Sequence, residues 1–166
     1  MTTLRERLRH VPQIGRLEAI LLRVNRRGEV ISVAETGALP GRGLKGDHRA
    51  EREAASPESP RQVTLIQAEH VPVVAALTGH EALDPALLRR NLVVSGVNLL
   101  ALKDQAFYVG EVLLGGTGLC HPCTRMDEAL GDGGLSAMRG HGGLTAKVLT
   151  GGTLRVGDAV RIKRAA

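Results

Sequence analysis

Alternation of apolar and polar side chains is the first pattern that the chain shows. It runs over residues 16–24 and again over residues 29–33, with the polar segment 25–28 between them. Side chains of a β-strand point alternately to opposite faces, so a strand with one buried face shows this period of two. The pattern therefore predicts two strands joined as a hairpin.

Further short apolar runs, bounded by glycine, proline or polar residues, predict more strands. They cover residues 62–66, 92–94, 106–109, 111–114, 145–149 and 159–163, with a turn at residues 151–152. Helical spacing predicts a helix over 67–77, a short helix over 85–90 and one or two helical turns around 135–139. Residues 39–47 and 51–60 are predicted as loops.

Strands outnumber helices in this prediction, and turns recur at short intervals. Regular β-α-β alternation is absent, which disfavours a doubly wound parallel sheet. The pattern instead predicts a mainly β fold, a closed or half-closed and mostly antiparallel β-barrel with short helices at its periphery. With 166 residues and no linker, the chain suits a single domain.

Composition places the chain among water-soluble globular proteins. Apolar residues make up 43% and charged residues 23%, and no apolar run approaches the roughly 20 residues that cross a bilayer. The first ten residues are rich in charge and lead into no apolar stretch of the signal-peptide type. We therefore expect a cytoplasmic protein with no membrane partner.

The net charge of +5 raises the question of a nucleic-acid partner, because lysine and arginine neutralise phosphates. The chain has one Phe, one Tyr and no Trp, so the aromatic platforms that stack on single-stranded bases are scarce. The basic residues are also scattered rather than aligned along one helix. A small phosphorylated ligand explains the charge equally well, and we expect no nucleic-acid partner.

The segment 116–126 contains the side chain of greatest chemical interest, Cys123, in a glycine-containing loop after a predicted strand. Arg125 lies two residues further on, and a nearby cation favours the thiolate, which attacks electrophiles and ligates metals. A buried, inert cysteine is the alternative interpretation of a free thiol.

Cys120 and Cys123 have the Cys-x-x-Cys spacing of dithiol oxidoreductases. No βαβ unit is predicted around them, and glycines interrupt residues 124–134, so the helix that such enzymes place after the motif is not expected. Zinc is a further possibility, with His121 or His141 as an additional ligand. The second spaced pair of ligands that a tetrahedral zinc site normally uses is absent.

Seven basic residues fall at predicted strand ends or in glycine-rich loops, where their charges can converge on one ligand. Arginine grips phosphate through its planar fork, and open glycine backbone adds N–H donors. Asp47 is interpreted either as an acid-base partner of His48 or as a cap of its own loop. A phosphate pocket is predicted from Lys45, Arg49, Arg61, Arg89, Arg90, Arg139 and Lys147.

Five short motifs follow one another along the chain. They are Gly-Leu-Lys-Gly-Asp at 43–47, Arg-Gln-Val-Thr-Leu-Ile at 61–66, Leu-Arg-Arg-Asn-Leu-Val-Val-Ser-Gly at 88–96, Pro-Cys-Thr-Arg at 122–125 and Arg-Val-Gly-Asp at 155–158. Together they resemble the MOSC family, named after the C-terminal domain of molybdenum cofactor sulfurase. The similarity spans residues 14–163 and indicates an N-terminal extension over 1–13, followed by one MOSC domain over 14–166.

The resemblance implies a β-barrel with peripheral helices, similar to the pyruvate-kinase β-barrel. It also implies the molybdenum cofactor, molybdopterin, with Cys123 as the catalytic thiolate that binds the metal, and pyridoxal phosphate is not expected on this domain alone. Soft thiolate suits such a transition metal. The residues that the resemblance and the charge pattern assign to cofactor binding are Lys45, Asp47, Arg61, Arg89, Asn91 and Arg139.

The resemblance favours one function and leaves two alternatives open. The favoured function is reduction of N-hydroxylated or N-oxygenated small molecules, with electrons from a donor protein, because nothing in the sequence resembles a flavin or nicotinamide site. One alternative is a sulfur-transfer module in which Cys123 carries a persulfide received from a sulfur-donor protein. The other is a non-enzymatic cofactor carrier. Cys120 lies outside the family pattern.

Overall fold

A β-barrel forms the centre of the computed structural model, which describes residues 1–52 and 55–165. Eleven strands are present in the described residues. In chain order they are β1 (Gly15–Arg23), β2 (Val30–Val33), β3 (Glu35–Leu39), β4 (Gly43–Leu44), β5 (Val63–Gln67), β6 (Leu92–Ser95), β7 (Ala106–Val109), β8 (Val112–Leu119), β9 (Leu144–Thr150), β10 (Gly152–Arg155) and β11 (Ala159–Ile162).

Seven of these strands close into a ring in the order β1, β11, β7, β8, β9, β5, β6, and β6 pairs with β1 to complete it. A closed ring with an odd number of strands cannot be antiparallel throughout, because the chain direction must return to itself after one circuit. The one parallel pair of the ring is β5 with β6, where Leu65 lies opposite Leu92. The predicted barrel, mainly β and mostly antiparallel, is therefore confirmed.

Short helices surround the barrel. Between β5 and β6, α3 (His70–Leu77) and the 3₁₀ helix Pro85–Leu88 form the crossover that a parallel pair requires. No helix in the described ranges is long and apolar enough to cross a lipid bilayer. The remaining helices are α1 (Leu4–Arg9), α2 (His48–Glu51), α4 (Arg125–Leu130), α5 (Gly134–Ala137) and a second 3₁₀ helix at Leu99–Leu102.

Strand β5 is buried on both faces because it separates two apolar clusters. Leu65 belongs to the barrel interior together with Phe107, and both side chains are fully buried. The next residue, Ile66, packs outside the barrel in a cluster that contains Val74 of α3 and Met126 of α4. Successive strand residues point to opposite faces, so β5 supports the barrel and also the helices that lie against it.

Most predicted strand boundaries agree with the structure to within two residues, although β8 continues to Leu119 instead of ending at 114. The helix predicted over 67–77 begins at His70, because Gln67 ends β5 and its amide binds the backbone of Val97 and Leu99. Strands β3, β4 and β10 were not predicted, and they pair only with one another in a small separate sheet. Gly152 begins β10 rather than sitting in a turn. Within the predicted loop 51–60, residues 53–54 lie outside the described residues.

Gly143→Ala is expected to destabilise the protein more than Gly79→Ala. Both glycines have a positive φ, +90° and +72°, and this region costs an L-residue about 1–2 kcal/mol. A Cβ atom at Gly143 would also overlap the carbonyl oxygen of Leu65, whereas the same atom at Gly79 would meet nothing within 4 Å. We expect losses in the free energy of unfolding of about 3 kcal/mol at Gly143 and about 1 kcal/mol at Gly79. Urea denaturation measures both losses, and equal values would contradict the steric argument.

Candidate functional site

An arginine-lined cleft of about 720 Å³ opens beside the barrel. It lies where the end of β1, helix α2, the start of β5 and the loop between β8 and α4 meet. Of the fifteen described residues that line it, eight are arginines and none is Asp or Glu. They are Arg23, Asn25, Arg26, His48, Arg49, Arg52, Arg61, Thr64, Arg89, Arg90, Cys120, His121, Cys123, Arg125 and Met126.

Both cysteines line this cleft as free thiols, but they differ in exposure. Cys120 directly follows β8 and is 5% exposed, and its backbone N–H donates to the carbonyl of Gly143 over 2.8 Å. Cys123 is exposed, and its carbonyl accepts from the N–H of Met126 over 2.9 Å in the first turn of α4. The motif therefore lies between a strand and a helix.

The expectation that no helix follows the motif is wrong, because α4 spans Arg125–Leu130. Met126 and Leu130 lie four residues apart and are both buried in the outer apolar cluster. This burial stabilises a helix that the glycine count alone disfavours, since tertiary packing supplies most of the stability of short helices. The glycines begin only at Gly131, where the helix ends.

Arg90 is held deep in the cleft. Its side chain is 8% exposed, its Nε donates to the Gly142 carbonyl over 2.8 Å, and its Nη1 donates to the Leu88 carbonyl over 2.9 Å. Its Nη2 is buried without a hydrogen-bond partner in the described residues. Burial lowers the pKa of Arg90, while Cys120 and Cys123 act in the opposite direction. An unpartnered buried donor costs about 1–3 kcal/mol, which an anionic ligand can recover.

Below the cleft, a buried ion pair fixes the position of Arg23. Asp47 is 1% exposed and accepts from Arg23 Nε over 3.0 Å, from Arg23 Nη2 over 2.9 Å and from Asn91 Nδ2 over 3.1 Å. Asn91 is fully buried, and its Oδ1 accepts from the Thr64 N–H over 3.1 Å. Asp47 also accepts from the backbone N–H of Arg49 over 3.3 Å, so its interpretation as a cap is confirmed. Asp47 and Asn91 thus support the cleft without lining it.

The MOSC domain profile matches residues 50–161, more than half of the chain. The chain belongs to the MOSC family. The fold of this MOSC protein is similar to that of YuaD from Bacillus subtilis, at 17% identity and a TM-score of 0.77 over 95% of this chain and 100% of YuaD. It is also similar to YiiM from Escherichia coli, at 19% identity and a TM-score of 0.66 over 91% and 71% of the two chains. YiiM from Geobacillus stearothermophilus shares 12% identity, with a TM-score of 0.69 over 90% and 75%. No curated protein sequence matches significantly.

The cleft brings together only some of the residues that the sequence assigned to the cofactor. Arg61 and Arg89 line it, whereas Lys45 and Arg139 are exposed and lie outside it. Arg89 is largely engaged with backbone, because its Nη1 donates to the Gly28 carbonyl over 2.7 Å and its Nη2 to carbonyls of the loop 25–28. Its role includes shaping that loop.

The cleft contains several residues that were absent from the sequence-based candidates, among them Arg23, Arg26, Arg52 and Thr64. Arg23 gave a usable signal, since it is a lone charge within the apolar run 19–24. Arg26, Arg52 and Thr64 gave none, because each is an ordinary polar residue until the chain folds. In the described residues, no three side chains among His, Cys, Asp and Glu cluster as a metal site would require.

The positive charge of the cleft persists across the physiological pH range, because guanidinium groups stay protonated throughout that range. His48 also lines the cleft, and burial lowers its pKa, with Arg23, Arg49 and Arg89 adding to the effect against the opposing charge of Asp47. A histidine with a lowered pKa is neutral at pH 7. The eight arginines therefore give the cleft its positive charge.

Asp47→Asn is expected to reduce stability by about 3 kcal/mol at neutral pH, because it leaves the buried Arg23 charge uncompensated. Burial alone would raise the pKa of Asp47, but the hydrogen bonds and charge of Arg23 outweigh it and hold that pKa below its usual value. The stabilisation that ionised Asp47 contributes is therefore complete above the pKa of an unfolded-state aspartate, about 3.9. It is lost as the pH falls through the lower pKa of Asp47 in the folded state.

Urea denaturation at pH values from about 7 down to about 2 tests this expectation. The parent should lose stability steeply at the acid end, and Asp47→Asn should lose less, because its largest acid-sensitive contact is already gone. Glu58→Gln is the control, since Glu58 forms only an exposed ion pair with Lys147. Parallel acid profiles for the parent and Asp47→Asn would contradict the assignment.

Proposed function

We propose that this MOSC protein binds a molybdenum cofactor in the arginine-lined cleft and reduces N-hydroxylated or N-oxygenated small molecules, with Cys123 as the protein thiolate on the metal. The observation that carries the proposal is an exposed thiol in a cleft lined by eight arginines and no acidic residue of the described chain. Membership of the MOSC family supports it, because MOSC domains are linked to molybdenum-cofactor binding.

The cleft suits the phosphate group of such a cofactor. Arg90 Nη2 and Arg49 Nε are both buried without hydrogen-bond partners in the described residues. Arg61 is exposed on the same cleft, and its guanidinium makes no hydrogen bond within the described chain. Guanidinium groups bind phosphate in bidentate geometry. Arg49, Arg61 and Arg90 are therefore proposed as the phosphate ligands.

Cys123 suits the metal itself, because soft thiolate is a preferred ligand of polarisable transition metals and metal binding displaces the thiol proton. When bound, the cofactor supplies the redox chemistry at the metal. The chain supplies the anchoring thiolate, the arginines that fix the phosphate, and the Asp47–Arg23 pair that keeps the floor of the cleft in place. Its proposed partners are the small-molecule substrate and an electron-donor protein.

One observation favours a second candidate, a sulfur carrier with a persulfide on Cys123. Cys120 lines the same cleft, so a second thiol is available to release sulfur from Cys123. In the reductase, Cys120→Ala should leave substrate reduction near the parent level. In a carrier, the same change should let persulfide accumulate on Cys123. Loading both proteins with polysulfide, which transfers sulfane sulfur to a thiolate, and with cofactor, then following intact mass and loss of an N-hydroxy substrate, separates the two. Cofactor binding without either activity would indicate a carrier of the cofactor.

Cys123→Ser is expected to abolish molybdenum binding while the fold survives, because an alcohol is a poor substitute for thiolate and the side chain is exposed. Elemental analysis of protein purified from a molybdenum-replete host measures the metal, and urea denaturation checks the fold. Cys120→Ala is the matched control and should retain molybdenum. Equal metal content in the parent and in Cys123→Ser would overturn the ligand assignment.

Arg61→Ala is expected to weaken cofactor binding about tenfold or more, because a charge-assisted hydrogen bond is worth about 1.5–3 kcal/mol. Arg61 is preferred to Arg89 for this test, since Arg89 also holds the loop 25–28 and its removal would confound binding with loop structure. Arg5→Ala removes the same charge from the exposed helix α1 and should have little effect. A cofactor titration measures the affinity of each variant. Equal losses of affinity in Arg61→Ala and Arg5→Ala would show that only the overall charge of the protein matters.

A further inference from the structure

The two thiols of the cleft form a pair with unequal access to solvent. Cys123 is exposed and Cys120 is 5% exposed, and both line the same cavity as free cysteines. They are separated by His121 and Pro122 only, between the end of β8 and the start of α4. Two thiols at this spacing can join in a disulfide, as in dithiol oxidoreductases.

We infer that the metal-free protein carries out thiol–disulfide exchange with small anionic disulfides, with Cys123 as the attacking thiol and Cys120 as the resolving thiol. The exposed position of Cys123 allows it to meet an external disulfide, whereas Cys120 is shielded. Access to the external disulfide is one of the factors that set the rate at which a thiolate attacks. The inference concerns Cys123 without metal and does not depend on the proposed reductase activity.

The exchange has two steps. The thiolate of Cys123 attacks one sulfur of the external disulfide, so that a mixed disulfide forms and one thiol leaves. The thiolate of Cys120 then attacks the sulfur of Cys123, so that an internal disulfide forms and the second thiol leaves. Two electrons pass from the cysteines to the external disulfide, and the two thiol protons end on the released thiols. An excess of the released thiol drives the reverse reaction.

The arginines of the cleft define the class of disulfide. A cleft with eight guanidinium groups and no acidic lining residue in the described chain attracts an anion and repels a cation. Clefts lined by charge of one sign raise association rates by 10 to about 10³, and added salt suppresses the effect. Oxidised glutathione, whose carboxylates outnumber its ammonium groups, carries the negative charge that this cleft attracts. Cystamine, a disulfide with two ammonium groups, does not.

Arg90 contributes to the positive charge of the cleft and also contacts the segment that holds Cys120. Its Nε holds the carbonyl of Gly142, and the adjacent Gly143 accepts the backbone N–H of Cys120. Arg90 also lines the cleft that both cysteines line, and its Nη2 has no hydrogen-bond partner in the described residues. The positive charge of Arg90 can therefore attract a carboxylate of an incoming disulfide into the cavity that holds the attacking thiol.

The test uses metal-free, fully reduced protein mixed with oxidised glutathione, quenched with an alkylating reagent and analysed by intact mass. The parent should end with an internal disulfide that resists alkylation. Cys120→Ala should accumulate a mixed disulfide with glutathione on Cys123. Cys123→Ala should react on the order of tenfold more slowly, because only the shielded thiol remains. Urea denaturation confirms that both variants remain folded.

Charge selectivity is tested by comparing oxidised glutathione with cystamine, each rate being divided by the rate of the same disulfide with free cysteine. At low salt, we expect the normalised rate for oxidised glutathione to exceed that for cystamine on the order of tenfold. The ratio of the two rates should fall as salt is added. Arg125→Ala, in the cleft, should reduce the preference, and Arg5→Ala, outside it, should not.

Three results would overturn the inference. They are full alkylation of both cysteines in the oxidised parent, equal reaction of Cys123→Ala and the parent, and equal normalised rates for the two disulfides. Because the protein contains no metal in this experiment, failure of molybdenum binding would leave the expected results unchanged. Failure of exchange would likewise leave the proposed reductase intact.

Discussion

The cleft depends on one buried ion pair, between Asp47 and Arg23. Asp47 receives two side-chain hydrogen bonds and one backbone hydrogen bond from Arg23, and a further one from Asn91. Asn91 in turn binds Thr64 of β5 and the Leu21 carbonyl of β1. The network therefore ties β1 to β5 and β6, the one pair of neighbouring strands in the ring that run in the same direction.

The same ion pair sets the electrostatics of the cleft. Among the described residues, Arg23 is the only one of the eight cleft arginines in an ion pair, and the other seven line the cleft without one. Repulsion between these like charges opposes folding, and the burial of apolar side chains in the barrel core must outweigh that repulsion. A bound anion relieves this repulsion, so binding and stability are linked, and the protein should be more stable with its ligand than without it.

Much of the barrel could be predicted from the sequence, because alternation and short apolar runs report burial directly. The small sheet of β3, β4 and β10 could not, since strands of two to five residues that contain glycine depend on their pairing partners. Helix α4 was missed for a related reason: its two buried residues, Met126 and Leu130, contact a cluster that exists only after folding.

The candidate site could be predicted in part. Cys123, Arg61 and Arg89 were identified and lie in the cleft, because motif spacing marks chemistry even without coordinates. Asp47 and Asn91 carry equally specific motifs but act beneath the surface, and sequence cannot distinguish a residue that lines a cavity from one that supports it. Exposure of Lys45 likewise depends on the path of the folded loop.

The two roles proposed for Cys123 exclude each other. A thiolate that ligates a metal cannot also attack a disulfide, and a sulfur held in a disulfide with Cys120 cannot ligate a metal. Because Arg90 binds the Gly142 carbonyl and the adjacent Gly143 accepts the N–H of Cys120, a ligand that recruits Arg90 acts on the segment that holds Cys120. Occupation of the anion site should therefore bias the choice between metal binding and exchange. The two proposed chemistries of the cleft would thus be linked through Arg90.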